Sequence, residues 1–407
     1  MTNSIGEIVG NDVLFIIGSN ATEAHPIIGN KMKQAHLRGA KLIVVDPRRT
    51  ELAEHAHLWL RLKPGTDNAL INGILHTIIK NGWHDEEYIQ TRTEGFDALW
   101  DTVKDYPVEF AAEICGVPAD TIIEAARLYA TTRKAGIFYT LGITEHTVGT
   151  ANVMNLANLA MVTGHIGLPN AGVNPMRGQN NVQGSCDMGA LPNSFPGYPS
   201  VLDFEAQKKF SELYGRQMPQ DMGLRIPEMF DLAVHGTLKA MFIMGEDPAL
   251  TDADANHVRK ALENLEFLAV QNIFMTETAK YADVFLPAAL YAERDGTFTN
   301  TERRVQRVRK AVEPPAECRE DWRIIADISS RMGYPMAYTD AEGVFAEIRA
   351  LTAQYAGITY ARIAKDGLQW PVPTTEHPGT RFLHKGTFTR GKGRLSGIPY
   401  EPPAELL

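Results

Sequence analysis

The clearest regularity in this chain is a set of short apolar runs without polar alternation, each stopping at a glycine or an acid. Asp12-Val13-Leu14-Phe15-Ile16-Ile17 stops at Gly18-Ser19-Asn20, and Lys41-Leu42-Ile43-Val44-Val45 stops at Asp46-Pro47-Arg48. A run that does not alternate suits a strand buried on both faces of a parallel sheet. Helical spacing through Lys31–Arg38, closed by Gly39, lies between them, so the stretch predicts a right-handed βαβ unit. Leu, Ile and Ala recur at helical spacing over 67–81, 85–92 and 118–131. Gly136–Gly142 predicts another strand running into a glycine turn, and 150–163 a further helix.

The grammar then repeats. Lys239–Met244 stops at Gly245-Glu246-Asp247-Pro248, a helix is predicted over 252–264, and Phe267–Val270 stops at Gln271-Asn272. Thr50-Glu51-Leu52-Ala53-Glu54-His55-Ala56-His57-Leu58-Trp59-Leu60 aligns with Thr276-Glu277-Thr278-Ala279-Lys280-Tyr281-Ala282-Asp283-Val284-Phe285-Leu286, with Thr, Glu, two Ala and Leu in register. This pattern predicts two α/β halves related by a diverged internal repeat, each offering its strand carboxyl ends to a ligand. Helices follow at about 321–331 and 342–351. The stretch 366–407 is rich in Pro, Gly and Thr and is expected to drape over the surface or link to a further domain.

Between the halves lies Val173–Gly189, with three glycines, three asparagines, two glutamines and only Arg177 and Asp187 charged. Such a run predicts a loop, either a solvated surface loop or one that turns amides toward an anionic ligand with Arg177 as its cation. Gly18 and Gly245 sit where glycine lets a backbone approach a phosphate, although an ordinary βα turn would look the same. Neither turn is Gly-x-Gly-x-x-Gly, which removes the nicotinamide fingerprint. Asp46 suits ribose hydroxyls or a guanine edge, and equally an N-cap before Pro47. Thr66 or Asp67, in Lys63-Pro64-Gly65-Thr66-Asp67-Asn68, could likewise cap the next helix.

Composition narrows the classes. The 407 residues are 44% apolar, enough for two or three packed domains. A net charge of −9 without a basic run argues against nucleic acid, and no apolar stretch is long enough for a membrane span. Cys115, Cys186 and Cys318 form no Cys-x-x-Cys pair, so neither a disulfide framework nor a metal site is expected from them. Cys186 lacks a neighbouring histidine and is taken as a packed residue. His165 is close in sequence to the polar loop and is weighed as a cofactor contact against a core histidine.

Arg177-Gly178-Gln179-Asn180-Asn181-Val182-Gln183-Gly184, followed by Cys186-Asp187-Met188-Gly189-Ala190-Leu191-Pro192, resembles the active-site loop of molybdenum- or tungsten-dependent formate dehydrogenases, within the molybdopterin-guanine-dinucleotide oxidoreductases. The resemblance covers 1 to about 350 strongly and the tail loosely. It implies an α/β fold of two Rossmann-like doubly wound parallel-sheet domains, 1–176 and 177–350, with 351–407 an irregular tail or linker to a C-terminal β domain. It implies a bis(molybdopterin guanine dinucleotide) cofactor with Mo or W. In the first half it would be held by Gly18, Asn20, Glu23, His25, Asp46, Pro47, Arg48, Gly65, Asp67, Leu141 and Glu145, then by Gly178 and Gln179. In the second half Gly245, Glu246, Asp247, Thr251, Gln271, Asp283 and Asp321 would hold it, with Gln271 and Asp283 at the positions equivalent to the Asp46 and Lys63–Asn68 loops. The family commonly has glutamine where Glu145 stands.

The implied reaction is formate to CO2, a proton and two electrons, or its reverse, with Arg177 gripping the carboxylate. Electrons would pass to a 4Fe-4S cluster in an N-terminal part of the subunit and on to iron–sulfur, NAD-, ferredoxin- or hydrogenase-linked partners. No metal ligand is expected in this chain: the family's ligating cysteine or selenocysteine is followed by histidine, a pair absent here. A Met-Thr-Asn-Ser-Ile run like that at 1–5 lies inside the family's subunit, so an internal piece, inactive alone, is expected. The expected compartment is the cytoplasm, or the periplasm if the native chain carries a leader. A nitrate reductase-like enzyme and a cofactor-free homologue in an electron-transfer complex are the alternatives.

Overall fold

Val13–Ile17 (β1) is buried at all five positions, as its unbroken apolar run requires. In the computed structural model, which describes residues 1–405, it lies at the centre of a five-stranded parallel sheet. The order is β3-β2-β1-β5-β6, from Lys41–Val45 (β2), Leu58–Leu60 (β3), Ala135–Tyr139 (β5) and Gly172–Pro175 (β6). Thr93–Glu94 (β4) lies outside this sheet. Alternate β1 residues feed two cores. Val13, Phe15 and Ile17 pack with Leu70, Ile74, Leu156 and Leu159 from the helices Asp67–Lys80 and Gly149–Val162. Leu14 and Ile16 pack on the other face with Ile28 and Met32 of the helix Pro26–Leu37.

The second sheet places Ala240–Met244 (β7), Phe267–Asn272 (β8) and Val284–Pro287 (β9) side by side and parallel. Helices Ile226–Val234 and Ala255–Asn264 cover one face with Phe230, Val258, Ala261 and Leu262. The stretches 12–60 and 239–287 thus share element order and strand order. They also share a cap: the Thr50 hydroxyl accepts from the Ala53 amide at 3.3 Å and that of Thr276 from Ala279 at 3.2 Å. An antiparallel sheet of Gly296–Thr299 (β10), Arg304–Val308 (β11) and Leu368–Gln369 (β12) completes this part.

Two compact units result: Met1–Gln179 with the segment from Thr380, and Asn180–Gly379. The tail expected to be irregular is instead divided between them. Tyr355, Ile358, Tyr360, Ile363 and Val372 form a core with Val305 and Phe345 in unit 2. In unit 1 Gly393–Arg394 (β13) pairs parallel with β4, and Leu395 is buried in the core. Aperiodic apolar residues fill these gaps, which periodicity alone cannot reveal. The polar run 173–189 likewise holds the end of β6 and a short helix, Val182–Asp187, rather than loop throughout. Among the described residues, no helix is long and apolar enough to cross a membrane.

Candidate functional site

In unit 1 the sheet grows in opposite directions from β1 and β5, so a crevice opens at their carboxyl ends. Gly18 leaves β1 with φ +55°, a conformation that favours glycine. Its carbonyl accepts from the Gly142 amide at 3.1 Å and the Thr140 hydroxyl at 2.8 Å. A Cβ on Gly18 would lie 2.6 Å from the Gly142 carbonyl carbon, and one on Gly142 would lie 2.7 Å from the Gly18 oxygen. Two backbones therefore touch where only glycines permit it. Around the short helix Ala21–Ala24, three buried polar atoms lack a protein partner: Ser19 Oγ, Asn20 Nδ2 and His25 Nδ1. Buried polar atoms are nearly always paired, so three together mark a polar cradle.

Arg177 follows β6, half-buried, and its carbonyl oxygen lies 3.2 Å from His25 Nε2. Its charge acts on Tyr139, whose hydroxyl burial pushes up to about 12 while Arg177 pulls the other way. Asp46, at the end of β2, does not cap a helix. It accepts from the Arg48 amide at 2.8 Å in a tight turn, because the helix starts later, at Glu51, capped by Thr50. Burial raises the Asp46 carboxyl. Pro47 and Arg48 are exposed, and Arg48 pairs with exposed Glu23 at 3.2 Å.

Gly65 and Asp67 are buried at the start of the helix Asp67–Lys80. The Thr66 hydroxyl donates to the Lys63 carbonyl at 2.6 Å and caps nothing. Burial pushes the Asp67 carboxyl up to about 6, against the nearby His146, whose Nε2 lies 4.0 Å away. His146 and Thr147, which follow the β5 turn, were not singled out from sequence. The Glu405 carboxylate rests 2.7 Å from His146 Nδ1, 2.8 Å from the Thr147 hydroxyl and 3.3 Å from its amide. These contacts tie a carboxylate of the tail to the loop after β5. Leu141, Glu145, Gly178 and Gln179 are all exposed. His165 is a core residue: it bonds Thr163 Oγ1 and the Thr132 carbonyl, and burial depresses it to about 4.

In unit 2, Gly245 (φ +69°) and Glu246 are exposed after β7, and the Gly245 amide donates to the Gln271 carbonyl at 2.9 Å. Asp247 accepts from the Thr278 amide and hydroxyl at 2.8 and 2.6 Å, and the Thr251 hydroxyl donates to the Asp247 carbonyl. Gln271 is fully buried near the end of β8; its Nε2 donates to Asp321 at 2.7 Å, Arg294 pairs with the same carboxylate, and Gln271 Oε1 has no partner. Asp283 does not join them. It precedes β9 at the opposite end of the sheet and accepts from the Leu268 amide at 2.7 Å. The alignment matches it to His57, which also precedes its strand, and not to the strand end at Asp46.

Sequence reasoning also missed Asp187. Its buried carboxylate accepts from Gln183 Nε2 at 2.8 Å, Tyr198 hydroxyl at 2.6 Å, Tyr355 hydroxyl at 2.5 Å and Trp370 Nε1 at 2.7 Å. Among the described residues, no group of three or more His, Cys, Asp or Glu is arranged to hold a metal ion, beside Cys186 or elsewhere.

The sequence profile of the family described as "Molybdopterin oxidoreductase" matches residues 1–331. The chain belongs to the molybdopterin oxidoreductase family. The family's cofactor is molybdopterin, and the unpaired atoms of the Gly18–His25 turn fit a polar ligand there. The chain is 50% identical to the F420-dependent formate dehydrogenase subunit alpha of Methanocaldococcus jannaschii, over all of its own length and 60% of that protein. It is 44% identical to formate dehydrogenase H of Escherichia coli, over 97% of this chain and 56% of that protein. It therefore spans less than two thirds of these relatives. Acetylene hydratase from Pelobacter acetylenicus shares the fold with TM-score 0.68 at 24% identity, over 90% of this chain and 52% of that one.

Proposed function

We propose that this chain is the cofactor-holding core of a formate dehydrogenase that carries two molybdopterin guanine dinucleotides around molybdenum or tungsten. The observation that carries the reading is the Gly18–Gly142 cradle with Ser19 Oγ, Asn20 Nδ2 and His25 Nδ1 unpaired beside it. One nucleotide would take the Ser19 and Asn20 donors, with His25 Nδ1 as an acceptor because its Nε2–H donates to the Arg177 carbonyl, and with Asp46 and Asp67 toward its ribose and base. The second would take the Gly245–Asp247 turn, with Gln271 and Asp321 at its base. The matching strand order and the Thr50 and Thr276 caps support a diverged repeat, and with it two equivalent sites.

Formate offers only a carboxylate and one C–H bond. The Arg177 guanidinium grips two oxygens in one plane and so fixes where that bond points. Buried Tyr139 keeps its proton near Arg177, so it adds no competing negative charge. A bound cofactor would supply the two-electron acceptor needed for formate to become CO2 and a proton. The cysteine or selenocysteine ligand, the iron–sulfur cluster and the electron-accepting partners belong to other parts of the whole enzyme.

The test is to purify the polypeptide from its own host and measure molybdenum, tungsten and acid-released guanine nucleotide, alongside formate-dependent dye reduction. Two guanine nucleotides and one metal per polypeptide, with formate activity, are expected. Nitrate reduction without formate oxidation, or no guanine nucleotide, overturns the reading.

A further inference from the structure

The helix Ala341–Leu351 in unit 2 turns Val344, Ile348 and Leu351, spaced three and four residues apart, to one side. Glu347 belongs to the same stripe, a carboxylate where helical spacing calls for an apolar side chain. These four residues line a cleft of about 200 Å³ together with Tyr214, Tyr338 and Thr352. Tyr214 is held in place by an aromatic stack: its ring lies 6.1 Å from that of Phe210, which lies 4.6 Å from that of Phe195. The Tyr338 hydroxyl donates to Glu347 Oε2 at 2.5 Å. Among the described residues Glu347 accepts no other hydrogen bond and pairs with no cation. The neighbouring cations are engaged elsewhere: Lys209 donates to the Leu351 carbonyl at 3.1 Å, and Arg216 lies over the Tyr334 ring, 5.3 Å from its centre. Thr352, 1% exposed, has a hydroxyl without a protein partner.

A carboxylate set among apolar side chains loses solvation that one neutral phenol returns only in part, and such charges are ordinarily paired. The cleft therefore lacks a positive charge, and its walls say of which kind. A hard metal ion needs several oxygen ligands, whereas a single carboxylate beside an aromatic face and aliphatic side chains suits an ammonium group at the end of a hydrocarbon chain. We infer that this cleft is a binding site for a small primary alkylammonium ion. The ammonium donates to Glu347 Oε1 and lies against the Tyr214 ring, with the Thr352 hydroxyl as a further acceptor, while the carbon chain covers Ile348 and Leu351. A carboxylate ligand would meet the like charge of Glu347, and an alcohol would leave that charge unpaired. None of the residues around the cleft belongs to the Gly245–Asp247 turn or to the Gln271–Asp321 pair.

Isothermal titration calorimetry of the polypeptide purified from its host tests this with three probes of one shape: n-butylammonium, n-butanol and butyrate, at matched ionic strength. The expected result is saturable binding of one n-butylammonium per polypeptide, with Kd of about 1 mM or tighter. It should bind about tenfold or more tightly than n-butanol, and butyrate should not bind. Equal affinity for the ammonium and the alcohol overturns the inference, because it shows an apolar slot that does not read charge. Absence of saturable n-butylammonium binding overturns it as well. Glu347→Gln keeps the shape of the side chain and removes its charge, and should weaken n-butylammonium about tenfold or more. Unchanged affinity in that variant would assign the binding to another part of the molecule and overturn the site. The comparison of the three probes needs no variant, so it decides the matter even if Glu347→Gln fails to fold.

Discussion

Gly18 and Gly142 meet backbone to backbone at the ends of β1 and β5, where the sheet of unit 1 changes its direction of growth. The contact holds two loops at a distance no side chain would allow. A methyl on Gly142 would lie 2.7 Å from the Gly18 oxygen, which is backbone and cannot rotate away. Gly142→Ala should therefore push the loops apart, costing about 1–3 kcal/mol as overpacking does and lowering bound cofactor more than stability. Gly39 makes the control: a side chain there meets the strain of a positive φ, which Gly142 does not have, but nothing lies within 4 Å of an added Cβ. Gly39→Ala should cost about 1 kcal/mol and leave cofactor content intact. Equal cofactor loss in both variants would show that the cradle is not special.

Asp67 carries a pH signature. Its folded carboxyl is raised to about 6, chiefly by burial, from an ordinary value of 3.8. Between those values the folded chain holds a proton that the unfolded chain has released. The contribution to stability is therefore full below about 3.8 and is lost as pH rises through about 6. The span is on the order of 2–3 kcal/mol. Asp67→Asn should flatten this slope and make the protein more stable than the parent at pH 7.5, relative to pH 4. Urea unfolding at the two values checks it, and an unchanged difference would place the titration elsewhere.

The runs that made β1, β2, β7 and β8 legible are those whose burial is dictated locally, because a strand covered on both faces must be apolar at every position. Gly18, Gly245 and Asp46 were legible for a related reason: each ends such a run. Asp187 was not. Its donors come from Gln183, four residues away, Tyr198, 11 away, Tyr355, 168 away, and Trp370, 183 away, so no window of sequence shows the set. Asp283 shows the opposite failure. Alignment carried it across correctly to the residue before a strand, but sequence did not say at which end of the sheet that residue would lie.

The Asp187 cluster should be a point of high cost. Asp187→Asn replaces one acceptor oxygen with an amide donor facing hydroxyl and indole donors, inside a site only 1% exposed. We expect a loss on the order of 2–4 kcal/mol, against about 1 kcal/mol for Tyr355→Phe, which deletes one donor and leaves the other three. Thermal unfolding of the two variants against the parent decides it. An Asp187→Asn protein as stable as Tyr355→Phe would mean that the carboxylate is not the hub of this packing.

Arg177 separates binding from chemistry. The small substrate gives an enzyme no side groups to hold, so alignment of its C–H bond depends on the paired geometry of a guanidinium. Arg177→Lys keeps the charge and loses the pairing. In the whole enzyme it should raise KM for formate and also lower kcat, because a misaligned C–H bond weakens the transition state as well as the ground state. One charge-assisted contact is worth on the order of 2–4 kcal/mol, so kcat/KM should fall roughly 30- to 1000-fold. The competing role is a brace, since the Arg177 carbonyl lies 3.2 Å from His25 in the cradle turn. That contact is made by backbone and survives the substitution. A brace made by that carbonyl would therefore leave both cofactor content and the kinetics of the loaded fraction normal. Activity per bound metal distinguishes the two, and unchanged formate kinetics per metal would remove Arg177 from the substrate.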